Sequence, residues 1–141
     1  RRKNLEFSNV FTNSQEIGSP RPGRLLLFQY SAKYAKTLPF YDRNPLCYIV
    51  GVESKAFYGV NLHYTQPKNR LAVLNYIEAG DDFTKLSGYN KYLRSYVRGT
   101  FLDLGLSDME KAVEMRLEDF VRNLGGVNIS IDPNLTNFYR R

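Results

Sequence analysis

At 141 residues, with 43% hydrophobic and 24% charged side chains, the chain has the size and balance of one globular domain able to bury a packed core. Twenty Lys and Arg against fourteen Asp and Glu leave a formal net charge of +6, which draws polyanionic or acidic partners by long-range attraction. A single cysteine rules out an internal disulfide framework, one histidine thins the options for metal and acid–base chemistry, and the longest purely apolar runs are strand-sized, so no membrane partner is expected.

Residues 1–22 read as an extended N-terminal arm. They mix Asn, Ser, Gly and Pro, reach Gly18-Ser19-Pro20-Arg21-Pro22, and show no sustained period. Leu5, Phe7, Val10, Phe11 and Ile17 supply apolar anchors, so the arm is expected to order only against a partner. A single domain is expected over 23–126. Its first strand is Arg24–Tyr30, launched by Pro-Gly, and a polar loop follows over Ser31–Thr37. In Leu38–Pro45 two prolines bracket aromatics and an Asp-x-Asn turn, which pins the backbone. The nearly continuous apolar run Leu46–Val52 predicts a buried second strand, and Ala56–Tyr64 a third in which Gly59 marks a bend. Such strands over 23–65 suit an α+β fold built on a small SH3-like β-barrel or a strongly bent antiparallel sheet.

Three to four helices are expected over 67–124. Pro67 opens one that runs to Ile77, with Pro in the first turn and Gly80 past the end. A second is expected over 89–102, where Tyr89, Leu93, Tyr96 and Val97 form an apolar stripe at about 100° per residue and Lys91, Arg94 and Arg98 fall together opposite it. Ser107-Asp108-Met109-Glu110 reads as a capping box opening a third. Leu117, Phe120, Val121 and Leu124 before Gly125-Gly126 suggest a short fourth. Val127–Ile131 alternates like an edge strand, and residues 127–141 end the chain as strand and tail.

Catalysis finds little to work with. Cys47 sits in an apolar strand, where a thiol is a small core hydrophobe. His63 has no second His or Cys to complete a common zinc site, so no metal and no cofactor are expected. Asp81-Asp82 follows Gly80 at a helix end as a solvated turn, which leaves an SH3-like nuclease a distant reading. No phosphate-cradling glycine loop and no nucleophile elbow occur. Lys68, Arg70, Lys91, Arg94 and Arg98 are the candidate contacts to nucleic acid or to an acidic protein surface.

The strings Gly-Arg-Leu-Leu-Leu-Phe-Gln-Tyr from Gly23, Leu-Pro-Phe-Tyr-Asp-Arg-Asn-Pro-Leu from Leu38, Phe-Tyr-Gly-Val-Asn-Leu-His-Tyr from Phe57 and Gln-Pro-Lys-Asn-Arg from Gln66 form a pattern. It resembles the DNA end protector family, virion proteins of T4-type tailed phages, and extends more weakly through Lys91–Arg98 and Leu117–Phe120. Asn44 and Cys47 depart from the more apolar residues of that pattern. Within it, Tyr41, Asp42, Pro45, Gly59, Asn61, His63 and Tyr64 are expected to specify the fold, with Asn61 and His63 bonding the neighbouring loop. The resemblance implies a non-enzymatic structural component of a phage virion, made in the host bacterial cytoplasm. Its expected partners are other virion proteins of the head-tail connector, tail or baseplate, and double-stranded DNA at the genome end. The alternative is a nucleic-acid-binding protein acting outside any fixed ring.

Overall fold

The computed structural model describes residues 7, 10–31, 41–124 and 127–130, with 122–124 and 127–130 as backbone. Nine strands alternate with short helical segments among them. They are β1 (Gln15–Ile17), β2 (Leu25–Tyr30), β3 (Tyr41–Asp42), β4 (Leu46–Val52), β5 (Ala56–Asn61), β6 (Tyr89–Leu93), β7 (Val97–Asp103), β8 (Phe120–Leu124) and β9 (Val127–Ser130). Two α-helices, α1 (Pro67–Glu78) and α2 (Leu106–Glu114), complete the described set, with 3-10 turns at Leu62–Tyr64, Phe83–Lys85 and Arg94–Tyr96. The main sheet is antiparallel throughout, in the order β1-β7-β2-β4-β5-β6, and β3-β8-β9 form a small second sheet.

Chain length forces the main sheet to curl. Strands β6 and β7 are separated by β2, β4 and β5, about 19 Å across a flat sheet at ordinary strand spacing. The link from Leu93 to Val97 spans at most about 14 Å even when fully extended, and here it is a tighter 3-10 turn. The corner is held by the Tyr30 hydroxyl, which accepts from the Leu93 backbone N–H at 3.0 Å, and by Ser31 N–H donating to Tyr96 O at 3.0 Å. The ladder still ends at β1 and β6, so of the two forms expected from the sequence the closed barrel is absent and the sheet is open and antiparallel.

Alternation along the strands sorts side chains onto two cores. One face carries Ile17, Leu26, Phe28, Cys47, Ile49, Phe57, Tyr92 and Phe101, with Phe28 at the centre, 5.5 Å from Phe57, 5.4 Å from Tyr92 and 5.2 Å from Phe101 between ring centroids. The other carries Leu25, Leu27, Leu46 and Leu102, which pack against Leu74 of α1 and Ala112 and Val113 of α2. Ile49 is fully buried, so Ile49→Ala is expected to lower stability by about 2 to 5 kcal/mol, read from the midpoint of urea unfolding with an unchanged slope.

Several elements differ from the sequence expectation, each for a stated physical reason. The segment 89–102 is strand, turn and strand rather than helix, so Lys91, Arg94 and Arg98 share no helical face. Its residues also fit a period of two: Tyr92 is buried between exposed Lys91 and half-buried Leu93, and Gly99 takes φ +81°, which a helix interior does not use. The stripe at 117–124 is strand β8 because Asp42 pairs with Phe120 and Tyr41 with Val121. The described helices therefore number two, not three or four. Helix α2 starts at Leu106 with Gly105 as its cap, so Ser107, the expected cap, falls inside the first turn. The Asp108 carboxylate accepts from Asn13 N–H at 2.8 Å and the Ser14 hydroxyl at 2.7 Å, while Ser107 Oγ accepts from Asn13 Nδ2 at 2.8 Å.

Those bonds decide the fate of the N-terminal segment. Strand β1 joins the sheet beside β7, and Phe7, Phe11 and Ile17, three of the anchors expected to wait for a partner, are buried in the chain's own core, while Leu5 lies outside the described residues. A Cβ on Gly105 would meet Asn13 O at 2.3 Å, so only glycine lets this segment approach so closely. Strand β5 ends at Asn61, where the Asn61 side chain caps the 3-10 turn by accepting from His63 N–H. The Ser31–Thr37 loop beyond Ser31 and the C-terminal tail after residue 130 lie outside the described residues.

Candidate nucleic-acid interface

The motif Tyr-Asp-x-x-Pro-Leu delivers Asp42 to the end of β3, and Asn-Leu-His-Tyr delivers Asn61 and His63 to the end of β5. There the three side chains interlock, all buried. Asp42 Oδ2 accepts from Asn61 Nδ2 at 2.9 Å and from His63 Nδ1 at 2.7 Å. Its Oδ1 accepts the backbone N–H of Asn44 at 3.0 Å and of Asp119 at 2.9 Å. Because an ionised carboxylate only accepts, His63 carries its proton on Nδ1. Burial by itself would raise the Asp42 pKa, but the neighbouring His63 and the bonds from His63, Asn61 and the Asp119 N–H outweigh it and hold the carboxyl below its ordinary range. Asn61 Oδ1 meanwhile accepts the N–H of Leu46 and of His63, at 3.2 and 3.0 Å. One carboxylate and one amide thus tie β3, β4, β5 and the entry to β8 together.

The remaining motif residues are structural as well. Tyr41 and Pro45 are buried, and Pro45 O accepts from Phe28 N–H at 3.2 Å. Gly59 faces Cys47, whose Cβ a side chain at Gly59 would meet at 3.0 Å, and the bulge expected at Gly59 lies on the facing strand between Ile49 and Gly51. Tyr64 is half-buried with its ring edge-on to Phe120 at 5.2 Å. Burial pushes the Cys47 thiol far above its ordinary pKa, which makes it an inert core group. Asp81 and Asp82 are exposed, and Asp82 caps the 3-10 turn at Phe83–Lys85 by accepting from Thr84 N–H at 3.1 Å. Among the described residues no three His, Cys, Asp or Glu side chains converge to hold a metal ion.

The candidate cations separate into two kinds. Arg70 is fully buried and faces inward: Nε donates to Leu62 O and Thr65 O at 2.9 Å each, Nη1 to Val113 O at 3.3 Å and Met115 O at 2.8 Å, and Nη2 to Glu118 Oε2 at 3.1 Å. It cannot meet a phosphate, which corrects the expectation. Lys68 is exposed in the first turn of α1, beside a cleft of about 500 Å³ lined by Tyr64, Val73 and Leu86 together with Thr65, Gln66, Asn69, Lys85 and Ser87. Lys91 is exposed on β6 opposite Tyr58, Arg98 is exposed on β7 opposite Gln29, and Arg94 is half-buried with Nη1 donating to Ser54 O at 3.2 Å.

Sequence reasoning passed over the aromatic neighbours of Lys91. Tyr58 and Tyr89 stack with centroids 6.2 Å apart and planes 16° from parallel, Phe83 lies 5.6 Å from Tyr89, and Lys91 Nζ stands 6.0 Å from the Tyr58 ring centre. All three residues are partly exposed and belong to neither core cluster. The available signal was period-two alternation in Tyr89-Asn90-Lys91-Tyr92-Leu93, which a helical reading hides.

The family model described as the Phage T4 terminal DNA protecting protein matches residues 5–84, more than half of the chain. The chain belongs to this family. No curated protein and no solved structure matches the chain. The Phage T4 terminal DNA protecting protein match takes in β1, the interlocked Asp42, Asn61 and His63, and inward-facing Arg70, while Lys91, Arg94 and Arg98 lie beyond it. Among the described residues no helix is long and apolar enough to cross a membrane.

Proposed function

We propose that the protein binds and shields the end of a phage genome as a non-enzymatic component of the virion, seated with other virion proteins where the genome end meets the head-tail connector or tail. Family membership is the observation that carries this reading. Net charge of +6 and the exposed cations Lys68, Lys91 and Arg98 fit a polyanionic partner. Hydrolysis of DNA is the weaker reading. The only histidine and its carboxylate partner are 0% and 1% exposed, out of reach of a phosphodiester.

End protection has a direct assay: exonuclease digestion of linear duplex DNA with and without stoichiometric protein, beside a competitor closed into a circle. Protection that survives excess circular DNA marks end binding, and loss of protection to the circle marks a protein that binds duplex anywhere. Lys68, Lys91, Arg94 and Arg98 are the proposed phosphate-binding residues, with Arg70 left out because it is buried. Changing these four to Gln is expected to leave the melting curve nearly unmoved and to reduce the slope of log affinity against log salt by about 0.9 for each phosphate no longer neutralised. An unchanged slope and full exonuclease protection in the folded variant would remove these residues from the interface.

A further inference from the structure

We infer that the row Phe83, Tyr89 and Tyr58 at the β5–β6 edge of the sheet is a stacking platform for unpaired bases at a DNA terminus, with Lys91 and Lys55 gripping the adjoining phosphates. This rests on the end-binding reading above and adds the face and the mode of contact.

The platform is built by strand pairing. Lys91 pairs with Tyr58 and Tyr89 with Val60, so Tyr58, Tyr89 and Lys91 stand on one side of the sheet with buried Val60 beneath them, while Phe57 pairs with Tyr92 in the aromatic core on the other side. Phe83 reaches the same row from the 3-10 turn that precedes β6, at 5.6 Å from Tyr89. Three neighbouring rings left partly exposed and outside both cores form an aromatic patch that the chain's own packing does not use up. Rings that already lie nearly parallel offer π-faces at low ordering cost, and base–aromatic stacking tolerates any sequence.

Charge completes the match at one end of the row. Lys55 and Lys91 are exposed, and Arg94 N–H donates to Lys55 O at 3.0 Å, which sets Lys55 beside the corner. The row also has acidic borders. Glu53 Oε2 accepts a long hydrogen bond from the Tyr58 hydroxyl at 3.4 Å, and exposed Asp81 and Asp82 precede Phe83. Phosphates are therefore directed to the Lys55–Lys91 end and bases to the rings.

The test uses three fluorescent DNAs of one duplex sequence: a dumbbell with no free end, a blunt end, and an end with a short single-stranded tail. Wild-type protein is expected to bind the tailed end about tenfold or more tightly than the dumbbell. Tyr58→Thr with Tyr89→Thr should remove most of that difference while the salt slope stays put, as removal of about two stacked rings implies. Lys91→Gln should instead reduce the slope by about 0.7 on the tail. Because the double variant can fail to fold, a second measurement uses wild-type protein alone: 5-bromodeoxyuridine in the tail should photocrosslink to Tyr58, Tyr89 or Phe83. Crosslinks mapping elsewhere, or a folded double variant with undiminished preference for the tail, overturn the platform while end binding stands. Equal affinity for dumbbell and free ends defeats the end-binding reading itself. Unchanged DNA binding with failed incorporation into particles assigns the row to a protein neighbour and likewise overturns the proposal.

Discussion

Asp42→Asn is expected to cost about 3 to 5 kcal/mol, because the site accepts four hydrogen bonds and an amide cannot. Both oxygens of Asp42 take two donors each, from Asn44 and Asp119 N–H on one side and Asn61 Nδ2 and His63 Nδ1 on the other. Asparagine keeps one acceptor oxygen and aims its NH2 at two N–H donors, so at least one buried donor is stranded beside a repelling one. The loss should appear in urea melts as a lower midpoint with the same slope. A loss under about 1 kcal/mol would mean that the interlock of β3, β4 and β5 contributes little.

The same carboxylate sets an acid limit. Its folded pKa lies below the unfolded value near 3.9, so its contribution is fully present above about pH 4. It is lost as pH falls through the lower folded pKa, because the unfolded chain then binds the proton more tightly. Stability of wild type should therefore fall more steeply below about pH 4 than that of Asp42→Asn, and the two curves should converge in acid. Parallel curves would show that Asp42 has no preferential affinity for its charged form in the folded chain.

How far the sequence discloses this architecture depends on whether local chemistry and long-range pairing agree. Leu46–Val52 is apolar on both faces because it is central, and it forms as a strand from end to end. Pro67 at a first helical turn needs no partner to be read, and α1 starts there. Tyr89–Val97 supports two periods at once, and only the ladder with β5, a segment some thirty residues earlier, decides between them. The N-terminal segment has no period of its own because its order comes from Asp108 and Ser107, about ninety residues away. Site residues follow the same division. Asp42, Asn61 and His63 are visible as a motif, and the structure shows them holding one another. Tyr58, Tyr89 and Phe83 look ordinary until pairing lines them up.

Arg70 offers the sharpest separation of structure from binding, since sequence placed it among the phosphate-binding residues and the fold places it inside. Its guanidinium serves the carbonyls of Val113 and Met115 at the end of α2, groups that no helical N–H reaches, together with Leu62 O and Thr65 O before α1 and the carboxylate of Glu118. Arg70→Met leaves those acceptors without their donor and Glu118, 4% exposed, without its cation, so about 3 to 5 kcal/mol should be lost. Pairing the change with Glu118→Leu removes the stranded charge and should recover part of that loss, a coupling that a double-mutant cycle measures. Arg70→Lys should fall between, because an ammonium cannot reproduce a planar fork that reaches five acceptors. Whichever of these variants stays folded should bind DNA with the wild-type salt slope. A slope reduced by about 0.9 in folded Arg70→Met would return Arg70 to the phosphate-binding surface and contradict its interior role.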